Sequence, residues 1–283
     1  MSFNLGSPTP IQPLSLGNTV SAGLRLYRSH LKDYFLLALK AYVWLLVPVY
    51  GLAKFYALIS LISRLAFGEL VNQPESISSG QRHVNSKLWQ FLVTMLLMFL
   101  INIGIIFGAT VLFVFFGILS RELVGRGIQG NPTTSFFIAL ITIVISIAAI
   151  VALLWFFLRF YLVDLPLAIE DNIDGLSTIS RSWELTQGYV WRIFLIIFVT
   201  FLITLPIQAV VQIITRTLGV IFGSLLNQGS IVYSLLFLVL IIALSFCSGA
   251  VVLPFWQSIK AVIYYDLRTR REGLGLKLRD RDV

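Results

Sequence analysis

Three stretches of this chain, Phe91–Ser120, Ser135–Leu158 and Val190–Ile214, stay apolar for longer than the ~20 residues a helix needs to cross a bilayer. In hydrocarbon every backbone N–H and C=O must be paired inside the chain, which leaves only helices and closed barrels. The apolar character here is continuous and lacks the in-out alternation of a barrel strand. Charged residues make up only 12% of the 283, about half the share of a soluble domain. The expected class is therefore all-α, a polytopic helical membrane protein.

Six apolar segments can be threaded: 34–49, 51–70, 87–118, 135–166, 190–214 and 229–263. Pro48 and Gly51 interrupt what would otherwise be one long first helix, a strong break signal. The piece before the break would be about 24 Å long, short of a ~30 Å hydrocarbon core. It reads as a short span or as one arm of a re-entrant hairpin, and both return the chain to the side it came from. About six membrane helices then form three hairpins in one domain, 19–268, with repeats near 19–70, 77–172 and 178–268. A single helix kinked at Pro48 would instead give five spans. Charge favours six. That topology gathers Arg25, Arg28, Lys32, Arg64, Arg82, Lys87, Arg159, Arg181, Arg192 and the tail cations on one side, against Arg121, Arg126, Arg216 and Lys54 on the other. Cations concentrate in cytoplasmic loops, so both termini are expected in the cytoplasm.

Each hairpin is preceded by a short basic amphipathic stretch. Residues Thr19–Arg28 and Thr178–Gln187 match at Thr, Ser and Leu, and Ile77, Ser78, Ser79 and Trp89 repeat the spacing of Ile179, Ser180, Arg181 and Trp191. In the first, Val20, Leu24, Tyr27 and Leu31 share a helical face flanked by Arg25, Arg28 and Lys32; in the third, Ile179, Trp183, Thr186 and Val190 do so. Such helices lie in the interface with cations near lipid phosphates, and Trp89 and Trp191 would anchor the following spans at headgroup level. Arg25, Arg28, Lys32, Arg181, Arg268, Arg270 and Arg271 are accordingly the candidate lipid-headgroup residues. Residues 1–18, with Pro, Ser and Gly and no apolar h-region, read as a flexible arm rather than a signal peptide. Residues 269–283 read as a basic cytoplasmic tail. The net charge of +8 is explained by anionic lipid, and no nucleic-acid partner is expected.

Polar residues inside spans are functional suspects. Here they are Lys40, Asn102, Gln208 and Gln212. Lys40 can snorkel to the headgroups. Asn102 suits a hydrogen bond across helices, and Gly104 with Gly108 a close helix contact. Gln208 and Gln212 follow Pro206, where freed backbone carbonyls need partners. Leu165-Pro166 and Leu253-Pro254 suggest a shared kink, and Glu170, Asp171 and Asp174 could pair with the basic tail. Cys247 is the lone cysteine, expected in the core facing other helices. No Asp or Glu lies deep in a span, and His30 and His83 have no nucleophile or carboxylate at a recognisable spacing. No phosphate loop, dinucleotide fingerprint or metalloprotease motif occurs, so no cofactor or metal is expected.

The run Leu165-Pro166-Leu167-Ala168-Ile169-Glu170-Asp171, the segment Ser180-Arg181-Ser182-Trp183-Glu184-Leu185-Thr186 and the motif Tyr264-Tyr265-Asp266-Leu267-Arg268-Thr269-Arg270-Arg271-Glu272-Gly273 resemble a bacterial membrane family. It comprises proteins related to the membrane domain of glycerophosphoryl diester phosphodiesterase and YciC-type proteins, and the wording is similar to a cyanobacterial branch. The resemblance covers roughly residues 15–275. It implies six helices with cytoplasmic ends in a cell inner membrane or an internal, thylakoid-type membrane. It does not imply phosphodiesterase activity, which belongs to a separate soluble domain. The expected function is a non-enzymatic scaffold or assembly factor for membrane components, with lipids and a membrane-protein partner or second copy as its contacts. The alternative is a transporter or lipid-handling protein with a cavity between hairpins, suggested by the breaks at Pro48 and Pro206.

Overall fold

A computed structural model of the chain describes residues 14–127, 132–226 and 230–273. Those residues are helical, with no strand among them. In order the helices are α1 (Leu16–Ser29), α2 (Leu31–Trp44), α3 (Tyr50–Leu70), α4 (Ile77–Ser86), α5 (Leu88–Gly127), α6 (Pro132–Arg159), α7 (Asp164–Ile169), α8 (Ser177–Thr186), α9 (Val190–Leu226) and α10 (Ile231–Glu272). Five segments are long and apolar enough to cross a membrane: Tyr50–Leu70, Leu88–Glu122, Phe136–Ile169, Val190–Gly223 and Ile231–Glu272. This is a multi-pass membrane protein. The expected first segment, 34–49, is the 14-residue α2, about 21 Å long and too short to count among them.

Burial divides the molecule into a base and two projecting hairpins. α5 packs along α6, and α9 along α10. Away from the base these four helices carry exposed Phe, Leu, Ile and Val on every side, from Phe99 to Phe157 and from Leu195 to Leu240. Such a surface is stable only in lipid or against other spans.

The base is built around α3 and the last half of α10. Ala57, Leu58, Leu61, Ile62 and Ala66 of α3 are fully buried, as are Ile259, Ala261, Val262 and Tyr264 of α10. The two run parallel. Ser63 Oγ donates to the Gln257 backbone carbonyl at 3.0 Å, and the rings of Phe67 and Tyr264 meet edge-on at 5.6 Å. α1 crosses α10 at Gly23, where a Cβ would lie 3.2 Å from Ile259 Cα. Tyr27 adds a hydrogen bond to the Val251 carbonyl at 3.0 Å.

The three basic stretches do form helices, each with a local start signal. Ser15 and Ser76 cap α1 and α4 by accepting from Asn18 N and Ser79 N, the usual Ncap arrangement. Before α8, Ser177 N donates to Asp174 Oδ1 at 2.8 Å. What these helices bury differs from the sequence expectation. Thr19, Val20 and Gly23 of α1 and Gly80 and Val84 of α4 face the base. α8 buries Thr178, Ser182, Leu185 and Thr186 rather than the face carrying Ile179 and Trp183. Thr178 Oγ1 donates to the Val163 carbonyl at 2.7 Å, and Ser182 Oγ to the Arg159 carbonyl at 2.9 Å. α8 thus supplies a partner to the carbonyl of Arg159, the last residue of α6, one of those a helix end leaves orphaned.

Several further expectations are corrected. Leu14, placed in a flexible arm, is fixed at both its N–H and its carbonyl. Residues 269–272, placed in the tail, are the last turn of α10. The rest of the arm and tail (1–13 and 274–283) lies outside the described residues. Cys247 is exposed on α10 rather than buried in a core. The two Leu-Pro pairs are not equivalent: Pro166 sits in the first turn of α7, where a missing N–H costs nothing, whereas Pro254 lies inside an unbroken α10.

The turn between α2 and α3 is strained. Tyr50 N donates to the Pro48 carbonyl at 2.7 Å across Val49, which has φ 60° and ψ −69°. These are the dihedrals of the γ-turn with positive φ, and they are costly for a β-branched side chain.

Candidate functional site

The base holds a lattice of charged side chains drawn from distant parts of the chain. Asp266, 3% exposed, is its most buried anion. Its Oδ1 accepts from Leu14 N at 3.0 Å. Its Oδ2 meets Arg192 Nη2 at 3.1 Å and Arg270 Nε at 3.0 Å. Arg192 and Arg270 also donate to the Leu14 carbonyl.

A second group centres on Arg181, which joins Glu170 at 3.2 Å to Glu272. Glu272 also takes Arg268 Nε at 2.9 Å, and the Tyr264 hydroxyl donates to Glu170. Burial opposes the charge on Arg181, but Glu170 and Glu272 outweigh it and hold the guanidinium above its ordinary pKa. Arg64 links α3 to the loop before α4, through Glu75 at 2.6 Å, and to α7, through the Ala168 carbonyl at 2.6 Å. Burial raises the Glu75 carboxyl, yet the hydrogen bonds from Arg64 and Ser79 leave it net below the usual range. Arg159 is buried, and no carboxylate among the described residues pairs with it. Its guanidinium stacks over Trp183 at 4.0 Å and Trp155 at 5.3 Å, the cation–π geometry.

These pairings sort the candidate headgroup residues. Arg181, Arg268 and Arg270 are committed to Glu170, Glu272 and Asp266, and Arg271 donates to the Gln187 carbonyl at 2.5 Å. Arg25, Arg28 and Lys32 are exposed and make no ion pair among the described residues. The expected pairing of the acidic turn with the tail is therefore indirect. Among the described residues only Glu170 takes part, and Arg181 carries the link. Asp171 is 83% exposed beside His83, and Asp174 binds Ser177.

The intramembrane candidates do not converge. Lys40 is exposed on α2. Gln208 and Gln212 are exposed on α9, and no hydrogen bond ties either to the backbone around Pro206. Asn102 donates to the Met98 carbonyl in its own helix at 2.6 Å rather than across helices. Gly104 and Gly108 have nothing within 4 Å of where a Cβ would sit, so they make no helix contact inside the chain.

Asn102 does border a groove of about 350 Å³ between α3, α5 and the α6–α7 link. Ile59, Phe91, Met95, Met98, Phe99 and Phe160 give it apolar walls. Its floor is polar: Lys260 Nζ meets Asp164 Oδ1 at 2.9 Å, with Ser60 Oγ at 3.5 Å from Asp164 Oδ2. Lys260 also lies 4.9 Å above the ring of Tyr161, whose buried hydroxyl lacks a partner. Sequence reasoning missed this floor. Asp164 stands at the end of an apolar run, and its partner is 96 residues away. Among the described residues no cluster of His, Cys, Asp and Glu is suited to a metal. Comparison with protein-family models, with curated proteins and with solved structures finds no match to this chain.

Proposed function

We propose that this chain is a non-enzymatic scaffold of a bacterial inner or internal membrane, a locked base that presents two apolar hairpins to other membrane proteins. One observation carries the reading. The most apolar stretches of α5 and α6 bury nothing against the rest of the described residues, and Gly104 and Gly108 on α5 stand open at the i, i+4 spacing that lets two membrane helices approach closely. The expected partner is a transmembrane helix, from another protein or a second copy.

The proposed topology has an even number of crossings. The hydrogen bond between Leu14 and Asp266 supports it, because a chain that returns to its starting side brings those two residues together. The hairpins α5–α6 and α9–α10 supply four crossings, and α2–α3 enters and leaves as a pair. Exposed Arg25, Arg28 and Lys32 beside the base suit the cytoplasmic, anionic leaflet. Trp89 and Trp191, 73% and 71% exposed at the starts of α5 and α9, suit its headgroup level. The likeness of the Leu165–Asp171 and Tyr264–Gly273 motifs to the membrane family named above agrees with this topology.

The test is capture from mild detergent with the full chain and a Gly104→Leu/Gly108→Leu variant. A stoichiometric membrane-protein partner, or a dimer, should appear with the first and be lost with the second while thermal stability is retained. Identical capture by both, or no partner with either, would sink the scaffold reading.

A further inference from the structure

We infer that the groove between α3 and α5 is a binding site for a single lipid whose uncharged headgroup carries hydroxyls. The walls suit an acyl chain: Met95, Met98 and Phe99 continue from the groove onto the exposed face of α5. Methionine and aromatic side chains are adaptable apolar contacts. The floor suits a small polar head, and its electrostatics select which kind.

Asp164 and Lys260 already neutralise each other at 2.9 Å, and each side chain retains 15% and 17% of its surface. What remains unused is hydrogen-bonding capacity rather than charge. An ammonium has three donors and no acceptor, and one of those on Lys260 is spent on Asp164. Among the described residues, Asp164 Oδ2 has only the long contact to Ser60. A hydroxyl both donates and accepts, so a hydroxylated head can accept from Lys260 and donate to Asp164 without disturbing the pair. A phosphate head would have to bury a further charge next to Asp164. Burying such a charge in a low-dielectric site is far more costly than burying a hydroxyl whose hydrogen bonds are then recovered. The preferred class is therefore a diacylglycerol or glycosyl diacylglycerol, disfavouring anionic lipids.

The site goes beyond the scaffold reading and is tested without any partner. The full chain is reconstituted in phosphatidylcholine bilayers with traces of chain-spin-labelled glucosyl diacylglycerol, phosphatidylethanolamine or phosphatidylglycerol. Electron paramagnetic resonance then measures the motionally restricted fraction of each. The glucosyl lipid should be restricted at least about threefold more than phosphatidylglycerol, with phosphatidylethanolamine no better than intermediate. Met98→Trp, which fills the groove, should abolish the difference. Asp164→Leu with Lys260→Met, which replaces a paired floor by apolar groups of similar size, should erase the headgroup preference while leaving chain restriction in place. Equal restriction of all three heads, preference for either phospholipid, or selectivity that survives in whichever variant folds would overturn the assignment.

Discussion

Arg192 at the start of α9 and Asp266 near the end of α10 meet at 3.1 Å, and the same carboxylate holds the backbone N–H of Leu14. One buried anion thus joins the beginning of the described chain, the base of the second hairpin and the final helix. Its removal would leave two arginines facing one another with no counter-ion.

Asp266→Asn should therefore be among the most damaging single changes in the base. Breaking a buried pair by deleting one partner costs about 3–5 kcal/mol. The low end applies, since Arg192 and Arg270 keep about a fifth of their side-chain surface. Arg25→Gln, on an exposed cation with no ion pair among the described residues, should change stability by less than about 0.5 kcal/mol. Thermal melting in detergent, followed by far-UV circular dichroism, compares them. Equal melting temperatures for the two variants would contradict the lattice.

Val49→Gly should stabilise the protein. Val49 holds φ 60° and is 62% exposed, so it contributes strain and little packing. Relief of a left-handed conformation at a side chain with a Cβ is worth about 1–2 kcal/mol, partly offset by glycine's greater freedom when unfolded. A net gain of about 0.5–1 kcal/mol is expected. Gly51→Ala, where a Cβ would collide with the Trp44 carbonyl, should do the reverse. A drop in melting temperature for Val49→Gly would mean that the turn is not strained.

Acid should weaken the base in two stages. Burial, with Arg64 and Lys87 nearby, holds the His83 imidazole below its ordinary value of 6.5 in the folded chain. The unfolded chain then takes up the proton first, so stability falls as pH drops below about 6.5. Glu75 is also depressed, by Arg64 and Ser79, from 4.5. Its contribution is complete above that value and is lost as pH falls through the folded one. Melting temperature should decline from pH 7 to 5.5 and again below 4.5, and His83→Gln should remove only the first decline. A wild-type curve that is flat between pH 7 and 5.5 would refute the His83 assignment.

Much of the fold is legible in the residues because local rules govern it. The long apolar runs specify α5, α6, α9 and α10, and Pro48 with Gly51 specifies the break between α2 and α3. The apolar faces of α1 and α4 were also visible, but not what covers them. A helix stripe that suits lipid equally suits a protein core, and only the tertiary fold puts Gly23 against Ile259. The floor of the groove was hidden for a different reason. Asp164 and Lys260, like Glu170 and Tyr264, are brought together across more than ninety residues, where no spacing rule operates.

α10 is a single 42-residue rod, about 63 Å long, and its environment changes halfway. Before Ala250 its surface is largely open, and beyond it every residue up to Arg270 is buried or half-buried. Pro254 stands just past that border and removes the N–H that would have paired with the Ala250 carbonyl. A thinner or thicker bilayer re-tilts the helices it surrounds, and here the outer half cannot re-tilt freely, because the inner half is clamped by Ile259 and Asp266. The mismatch must be absorbed as a hinge at Pro254 or passed on to the clamp.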